Sequence, residues 1–332
     1  MRVWLALIAT LPLLVVGSGA TAGTSDPARN GLIAAAGADG IYLIDAEGSK
    51  ASKVPGSVDM YAPAWSPDGS RLAVQGWDDS GRNVYTIKPD GSDRQLVLRN
   101  AGSPSWSPDG KRLVVIRDGK DGGALVTIGA DGSDLEQVLP DSGTDSNGVN
   151  DPAWSPDGKW IAFVSEKGAV KLVSPSGADI GVRTIAENGS VATYDGGANL
   201  AWSPDSSRLA FDVVDGKQNF KQEIAIVEVA TGLRTKLSRP NDVSALAWSP
   251  DGKQLAFLSS RAPEVRAHCG GEISWDLWAM NADGSRPHRL GKGSYSQPSW
   301  GTFQPEPKAS SQPNVKPSAG SVASEPRTSS RG

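Results

Sequence analysis

The 332 residues include few histidines and cysteines. These are the side chains most often used as a nucleophile, a base or a soft metal ligand. His268 and Cys269 are adjacent, and His288 is the other histidine. Neighbouring residues of a strand point to opposite faces, and adjacency in a loop specifies no geometry, so this pair is a weak signal for catalysis. No third nitrogen or thiolate ligand stands at metal spacing, which argues against zinc. A single cysteine excludes an intramolecular disulfide and favours a free thiol or an intermolecular bridge.

Motifs that bind cofactors or build hydrolase sites are also missing. The chain has no Gly-x-Ser-x-Gly elbow, no Gly-x-Gly-x-x-Gly loop and no Walker-type loop. Lys and Arg total 33 against 37 Asp and Glu, a net charge of −4 that argues against nucleic-acid binding. We therefore expect no cofactor, no bound metal and no nucleic-acid partner. Carboxylate, amide and aromatic side chains remain as binding groups, and the fold decides where they lie.

An internal repeat determines that fold. The string Trp-Ser-Pro-Asp begins at Trp65, Trp106, Trp154, Trp202 and Trp248, with a degenerate sixth copy at Trp300. Gly follows in four of the five full copies, and Ser206 takes its place in the fourth copy, which begins at Trp202. Successive tryptophans are 41 to 52 residues apart, the length of a four-stranded propeller blade. Each repeat predicts a strand ending at Trp, a tight Pro-Asp-Gly turn, an apolar second strand, a third strand and a polar fourth strand.

Composition agrees with an all-β protein. The chain contains 39 Gly, 23 Pro and 11 Trp, a balance that argues against a helical bundle or a βαβ fold. Apolar stretches at 32–35 and 41–44 predict the strands that the sixth repeat lacks. The sequence thus predicts a six-bladed β-propeller of four-stranded blades, whose ring is closed by N-terminal strands that complete the last blade.

The repeat resembles a known family. Trp-Ser-Pro-Asp-Gly, then a basic residue with Leu-Ala-Phe, and Asp-Gly-Ser after the third strand are similar to the WD40-like (PD40) repeats of TolB-type propellers, over nearly all of residues 31–303. TolB-type proteins work in the periplasm as parts of an envelope assembly. The resemblance therefore implies a non-catalytic platform that binds a protein or an envelope component. The sequence departs from TolB in lacking the preceding α/β domain.

Outside the repeats, we expect two further kinds of segment. Residues 1–22 read as a signal peptide cleaved after Ala22, with an uncleaved anchor as the alternative, and residues 23–30 as a linker. The protein is then exported, periplasmic or extracellular, with no transmembrane span in the mature chain. Residues 304–332 are rich in Pro and Ser and predict a disordered tail. Its cationic residues are suited to an anionic surface; they are Lys308, Lys316, Arg327 and Arg331.

The lengths of the loops indicate where the candidate site lies. Loops on one face are short and repetitive, so we expect binding on the other, variable face around the mouth of the central channel. The candidate binding residues are Tyr61, Trp77, Asn150, Asp151, Tyr194, Asp195, Asn199, Arg266, His268 and Tyr295. A lactonase or polysaccharide lyase would need a metal-binding cluster drawn from Asn150, Asp151, Asp195, Asn199 and His268. A carbohydrate-binding module would need Trp77 and Trp275 side by side.

The repeated residues have a structural interpretation instead. The six tryptophans, Trp65, Trp106, Trp154, Trp202, Trp248 and Trp300, stand at equivalent positions, as packing between blades requires. The repeated aspartates, Asp68, Asp109, Asp157, Asp205 and Asp251, are expected to bond the backbone of their own turns.

Overall fold

The described residues of the computed structural model form 24 strands in six four-stranded antiparallel sheets. Those residues are 30–79, 81–119, 123–139, 149–165, 167–177, 181–187, 200–214, 222–237, 243–260 and 275–302. This confirms the predicted six-bladed propeller of four-stranded blades. We number the blades from the one that contains the N-terminal strands.

The strand bounds follow the repeats. Blade 1 contains β24 (Ser296–Thr302), β1 (Asn30–Gly37), β2 (Gly40–Ile44) and β3 (Ala51–Lys53). Blade 2 contains β4 (Met60–Trp65), β5 (Leu72–Asp78), β6 (Gly81–Ile87) and β7 (Gln95–Arg99). Blade 3 contains β8 (Ala101–Trp106), β9 (Arg112–Arg117), β10 (Ala124–Gly129) and β11 (Glu136–Leu139). Blade 4 contains β12 (Val149–Trp154), β13 (Ile161–Ser165), β14 (Val170–Val173) and β15 (Arg183–Ala186). Blade 5 contains β16 (Ala201–Trp202), β17 (Arg208–Val214), β18 (Gln222–Glu228) and β19 (Arg234–Leu237). Blade 6 contains β20 (Val243–Trp248), β21 (Gln254–Ser260), β22 (Trp275–Asn281) and β23 (His288–Gly291).

Blade 1 closes the ring as the sequence predicts. Strand β24 pairs with β1 through Trp300 opposite Ile33 and Ser299 opposite Ala34. The innermost strand of this blade therefore comes from the C-terminal side of the propeller, and its other three strands come from the N-terminal side. Strand β1 begins at Asn30, one residue inside the predicted linker.

The Ser-Pro-Asp-Gly turns join the first and second strands of a blade. In blade 2 the Gly69 N–H donates to the Ser66 carbonyl over 2.8 Å, and Gly69 has a φ of 67°, which favours glycine. Ser206 stands at this position in blade 5 with a φ of 59°. Its hydroxyl accepts a hydrogen bond from the backbone N–H of Asp157 in blade 4 over 2.9 Å, a contact that glycine cannot make.

One hydrophobic cluster of described residues fills each of the six gaps between adjacent blades. Side chains alternate along a second strand, so Phe211 packs toward blade 4 while Ala210 packs toward blade 6. Both residues are fully buried. The continuous apolar runs of the second strands therefore arise because both faces of each blade are covered.

Candidate functional site

The innermost strands of the six blades surround a central cavity of about 230 Å³. Each strand contributes the residues just before its tryptophan. The described wall consists of Ala62, Pro63, Ala64, Ser103, Pro104, Ser105, Asp151, Pro152, Ala153, Leu200, Ala201, Trp202, Leu246, Ala247, Trp248, Gln297, Pro298, Ser299 and Trp300. Small apolar and hydroxyl side chains dominate it, so the few larger polar groups determine its chemistry.

A repeated backbone irregularity shapes this wall. The residue three positions before the tryptophan has a positive φ in five described innermost strands: Ala62 (48°), Ser103 (52°), Asp151 (50°), Ala245 (50°) and Gln297 (47°). In each case the pairing with the second strand shifts register at or beside this residue. Such bulges redirect side chains. The residues at this position line the channel in four of the five strands, whereas Ala245 packs in the cluster between blades 6 and 1.

Side chains of blade 1 accept hydrogen bonds from two backbone N–H groups of the neighbouring innermost strand. The innermost strands are sheet edges facing the channel, where proline removes an N–H that would otherwise lack a partner, as at Pro152. The Gln297 side-chain oxygen accepts from the Ala62 N–H over 2.9 Å. The Ser299 hydroxyl accepts from the Trp65 N–H over 3.1 Å. A ligand therefore meets side chains rather than free backbone donors at these positions.

Asp151 is the single charged side chain among the described residues that line the cavity. It comes from the bulge of β12 in blade 4, and it was one of the predicted binding residues. Asn150 precedes it on the same strand and is exposed. The channel thus carries a negative charge on the side of blade 4.

A second carboxyl group lies behind the wall and was not predicted. Asp212, on β17 of blade 5, is 1% exposed, and its Oδ1 has no hydrogen-bond partner. Burial, and in addition the negative charge of Asp151, raises the pKa of Asp212 to about 8. Its side chain is on the face of β17 that packs toward blade 6, as is that of Ala210. Asp212 is therefore protonated at neutral pH.

Comparison of the repeats is the signal that reveals Asp212. In blade 5, Ala201 precedes the tryptophan and pairs with Ala210 of the second strand. Asp212 follows Ala210 by two positions. The equivalent residues of blades 1, 2, 3, 4 and 6 are Ala36, Gln75, Ile116, Val164 and Leu258. A carboxyl group at this otherwise uncharged position departs from the architecture, and such departures are typical of functional sites.

Three other predicted binding residues lie within the described part of the chain and are not gathered around Asp151. Tyr61 packs against the hydrophobic cluster between blades 1 and 2. Tyr295 packs between blades 6 and 1, edge-on to Tyr42 with ring centres 6.2 Å apart. Trp77 is 56% exposed at the end of β5. Tyr194, Asp195, Asn199, Arg266 and His268 lie outside the described residues.

The two tryptophans of the carbohydrate-binding alternative do not form a pair. Trp77 is on blade 2, whereas Trp275 begins β22 of blade 6 and packs half-buried against the cluster between blades 6 and 1. Blade 1 separates them, so they do not form one stacking platform for a sugar.

The repeated tryptophans each pack against the preceding blade. Their indole N–H groups differ. Trp106 and Trp202 donate to the carbonyl oxygens of Ala64 and Ala153 in the preceding blade, over 3.0 and 3.1 Å. The buried Nε1 atoms of three others have no acceptor; these belong to Trp65, Trp154 and Trp248. The six repeats therefore differ in the hydrogen bonding of their indole N–H groups.

The repeated aspartates are tied into their turns. Each accepts at Oδ1 from the serine hydroxyl two residues earlier over 2.6–2.7 Å and from the N–H two residues later over 3.0–3.1 Å, at Asp68, Asp109, Asp157, Asp205 and Asp251. The strongest effect is at Asp205, where hydrogen bonding by Ser203 leads the causes that lower the pKa to about 2. These carboxylates are ionised at neutral pH.

The family model described as "TolB beta propeller domain" matches residues 40–304. The chain belongs to this family. Among curated proteins, none matches it. The fold and the repeat thus agree with the resemblance seen in the sequence.

Solved structures similar to this TolB-family propeller include two TolB proteins. TolB from Acinetobacter baumannii is 20% identical with a TM-score of 0.65, and the match covers 81% of this chain and 66% of that protein. The putative TolB from Agrobacterium tumefaciens is 18% identical with a TM-score of 0.57, covering 84% of this chain and 100% of that one. An oligogalacturonate lyase in complex with manganese is 17% identical with a TM-score of 0.50, covering 76% and 70%. At these identities the likeness concerns the fold.

The described part of this TolB-family chain contains neither a metal-binding cluster nor a membrane-spanning helix. No group of three or more His, Cys, Asp or Glu side chains in it is placed to hold a metal ion. Within the same residues, no helix has the length and hydropathy needed to cross a bilayer.

Proposed function

We propose that this protein is an exported, non-catalytic binding platform whose channel mouth receives part of a protein or of another cell-envelope component. The observation that carries the proposal is the channel wall, in which Asp151 supplies a negative charge on an otherwise small-residue surface. Membership of the TolB family and the signal-like N-terminal segment support export.

The size of the cavity favours binding over catalysis on a large substrate. Pockets that enclose drug-sized ligands have volumes of roughly 300–1,000 Å³. The channel cavity, at about 230 Å³, is smaller and suits one projecting side chain or a short extended segment. A protein partner would contribute such a projection and add contacts on the loops of the variable face.

The experiment is affinity capture from an envelope fraction with the full chain as bait, measured by quantitative mass spectrometry. Asp151→Asn removes the channel charge, and asparagine tolerates the positive φ of this position. Asp157→Asn makes the same chemical change on the opposite face of the same blade and is the matched control. We expect Asp151→Asn to lose a partner that the control retains. Equal recovery by both variants, and also by a chain with 187–199 replaced by Gly-Ser, would remove the channel mouth from the binding surface.

A second candidate function is an enzyme of the lyase or lactonase type acting at the channel mouth. The observation in its favour is Asp212, a buried carboxyl group whose raised pKa suits a general acid or base near neutral pH. One similar fold is the manganese-bound oligogalacturonate lyase. Metal analysis of the purified protein and an oligogalacturonate cleavage assay, each with Asp212→Asn as control, test this alternative. Stoichiometric metal or cleavage lost in that variant would favour the enzyme.

A further inference from the structure

An exposed indole ring lies on the rim of the variable face, at blade 2. Trp77 stands at the end of β5 and is 56% exposed. It pairs with Arg82 of β6 across the hairpin, so the two side chains share one face of the blade. Gln75 shares this face too, and its Oε1 accepts a hydrogen bond from the Ser103 N–H of blade 3 over 3.4 Å. Trp77 and Arg82 are therefore on the side of blade 2 that faces blade 3.

Arg82 forms a two-point ion pair with Asp118 of blade 3. Its Nε donates to Oδ2 over 3.4 Å, and its Nη2 donates to Oδ1. The backbone N–H of Asp118 donates to the Asn100 carbonyl over 2.7 Å, which holds this residue in place. The side chains of Arg82 and Asp118 are 25% and 43% exposed, so a ligand reaches both. Because the two charges compensate each other, the pair suits a neutral ligand that both donates and accepts hydrogen bonds.

The absence of a side chain at Gly102 makes room for this pair. A Cβ there would lie 3.0 Å from Cδ and Cζ of Arg82 and 2.4 Å from Oε1 of Gln75. Gly102 does not have a positive φ, so its backbone conformation does not require glycine. Four other blades have a side chain at the equivalent position, namely Tyr61, Asn150, Ser244 and Ser296. Glycine in blade 3 therefore serves the placement of Arg82.

We propose that Trp77, Arg82 and Asp118 form a subsite for one sugar ring of a β-1,4-linked glycan whose ring substituents are equatorial. Such a ring has an apolar C–H face, which stacks on the negative face of an indole. Its adjacent hydroxyls both donate and accept, as the ion pair requires. An apolar side chain of a protein would use the indole alone. The subsite rests on the binding function proposed above and identifies the envelope component as a glycan.

Titration of the full chain with cellotetraose, followed by saturation-transfer NMR, tests the proposal. We expect a Kd in the millimolar range, because one ring and one ion pair make the contact. Trp77→Ala should weaken binding about tenfold through the loss of stacking. Leu233→Ala is the matched control, because it truncates an apolar side chain of blade 5 that is 62% exposed. This control should bind cellotetraose as the wild type does.

Two further variants test the ion pair and its placement. Arg82→Lys keeps the charge but loses the planar fork, and we expect about fivefold weaker binding. Gly102→Ala leaves every contacting side chain present but displaces Arg82, and we expect a loss of about the same size. Ser244→Ala, at the equivalent position of blade 6, is its control and should leave the Kd unchanged. Melting curves check that all variants fold.

Three results would overturn the subsite. The first is no saturation transfer from the wild-type protein to cellotetraose at about 10 mM. The second is a Trp77→Ala variant that binds as tightly as the wild type. The third is an Asp151→Asn variant that loses as much affinity as Trp77→Ala, which would move the sugar into the channel. If cellotetraose fails to bind while Asp151→Asn still loses a captured protein, the subsite is wrong and the proposed function stands.

Discussion

Asp212 gives the sharpest prediction about stability. Its pKa rises from 3.8 to about 8 on folding, so between these values the folded state holds a proton that the unfolded state has lost. The free energy of unfolding must therefore fall as pH increases across this range. At ~1.36 kcal/mol per pH unit, and with the group half-ionised near pH 8, the loss between pH 5 and pH 8 is roughly 3–4 kcal/mol. Relaxation around the ionised carboxylate makes this an upper value.

The assay is urea unfolding of the full chain at pH 5 and pH 8. Asp212→Leu copies the residue of blade 6, Leu258, and should abolish this part of the pH dependence. Asp205→Asn is the control from the same blade, because a carboxylate with a pKa of about 2 stays ionised throughout the range. A wild-type protein with the same stability at both pH values, or a leucine variant with the wild-type slope, would refute the reasoning.

Three further predictions concern the repeats, and urea or thermal unfolding measures each of them. Trp202→Phe should cost ~1–2 kcal/mol more than Trp154→Phe, because only the former loses an indole hydrogen bond; equal losses would contradict this difference between the two indoles. Gly91→Ala should cost at least ~1 kcal/mol more than Gly232→Ala, since both have a positive φ but only the Gly91 methyl would collide with the carbonyl of Pro55, in the segment that joins blades 1 and 2. Ser206→Gly should be within ~1 kcal/mol of wild type, because relief of a left-handed φ offsets the lost hydrogen bond from the blade before it.

The fold was predictable from the sequence because the residues that specify its strands and turns are close together in the chain and recur in each repeat. Each Trp-Ser-Pro-Asp string encodes a strand end and a turn, and the unpaired strands at 32–35 and 41–44 showed how the ring closes. The bulges of the innermost strands were not predictable. Alanine and glutamine at Ala62 and Gln297 carry no signal for a positive φ, and the residue after each of them is a proline that reads as ordinary extended chain.

The candidate site was harder to predict because loop position is a poor guide to which side chains converge. Tyr61 and Asp151 lie near the start of innermost strands, and Tyr295 directly precedes one. The two aromatic rings pack in the gaps between blades, where they bury more surface than at a solvated rim. Asp212 was missed because it stands inside an apolar strand rather than in a loop. Asp212 becomes conspicuous only when it is compared with the uncharged residues at the equivalent positions of the other blades.

Residues that differ from their equivalents in the other blades are therefore the candidates for function in this propeller, whereas the recurring residues build its architecture. A residue that recurs in five of the six blades, such as the turn aspartate, meets similar neighbours each time and cannot define a unique site. Asp151 and Asp212 break the pattern in adjacent blades, and the charge of the first raises the pKa of the second. The blade architecture does not require either charge, since uncharged residues occupy the equivalent positions of other blades. A buried carboxyl oxygen without a hydrogen-bond partner reduces stability, so the position of Asp212 behind the channel wall supports the proposal that the channel is a functional site.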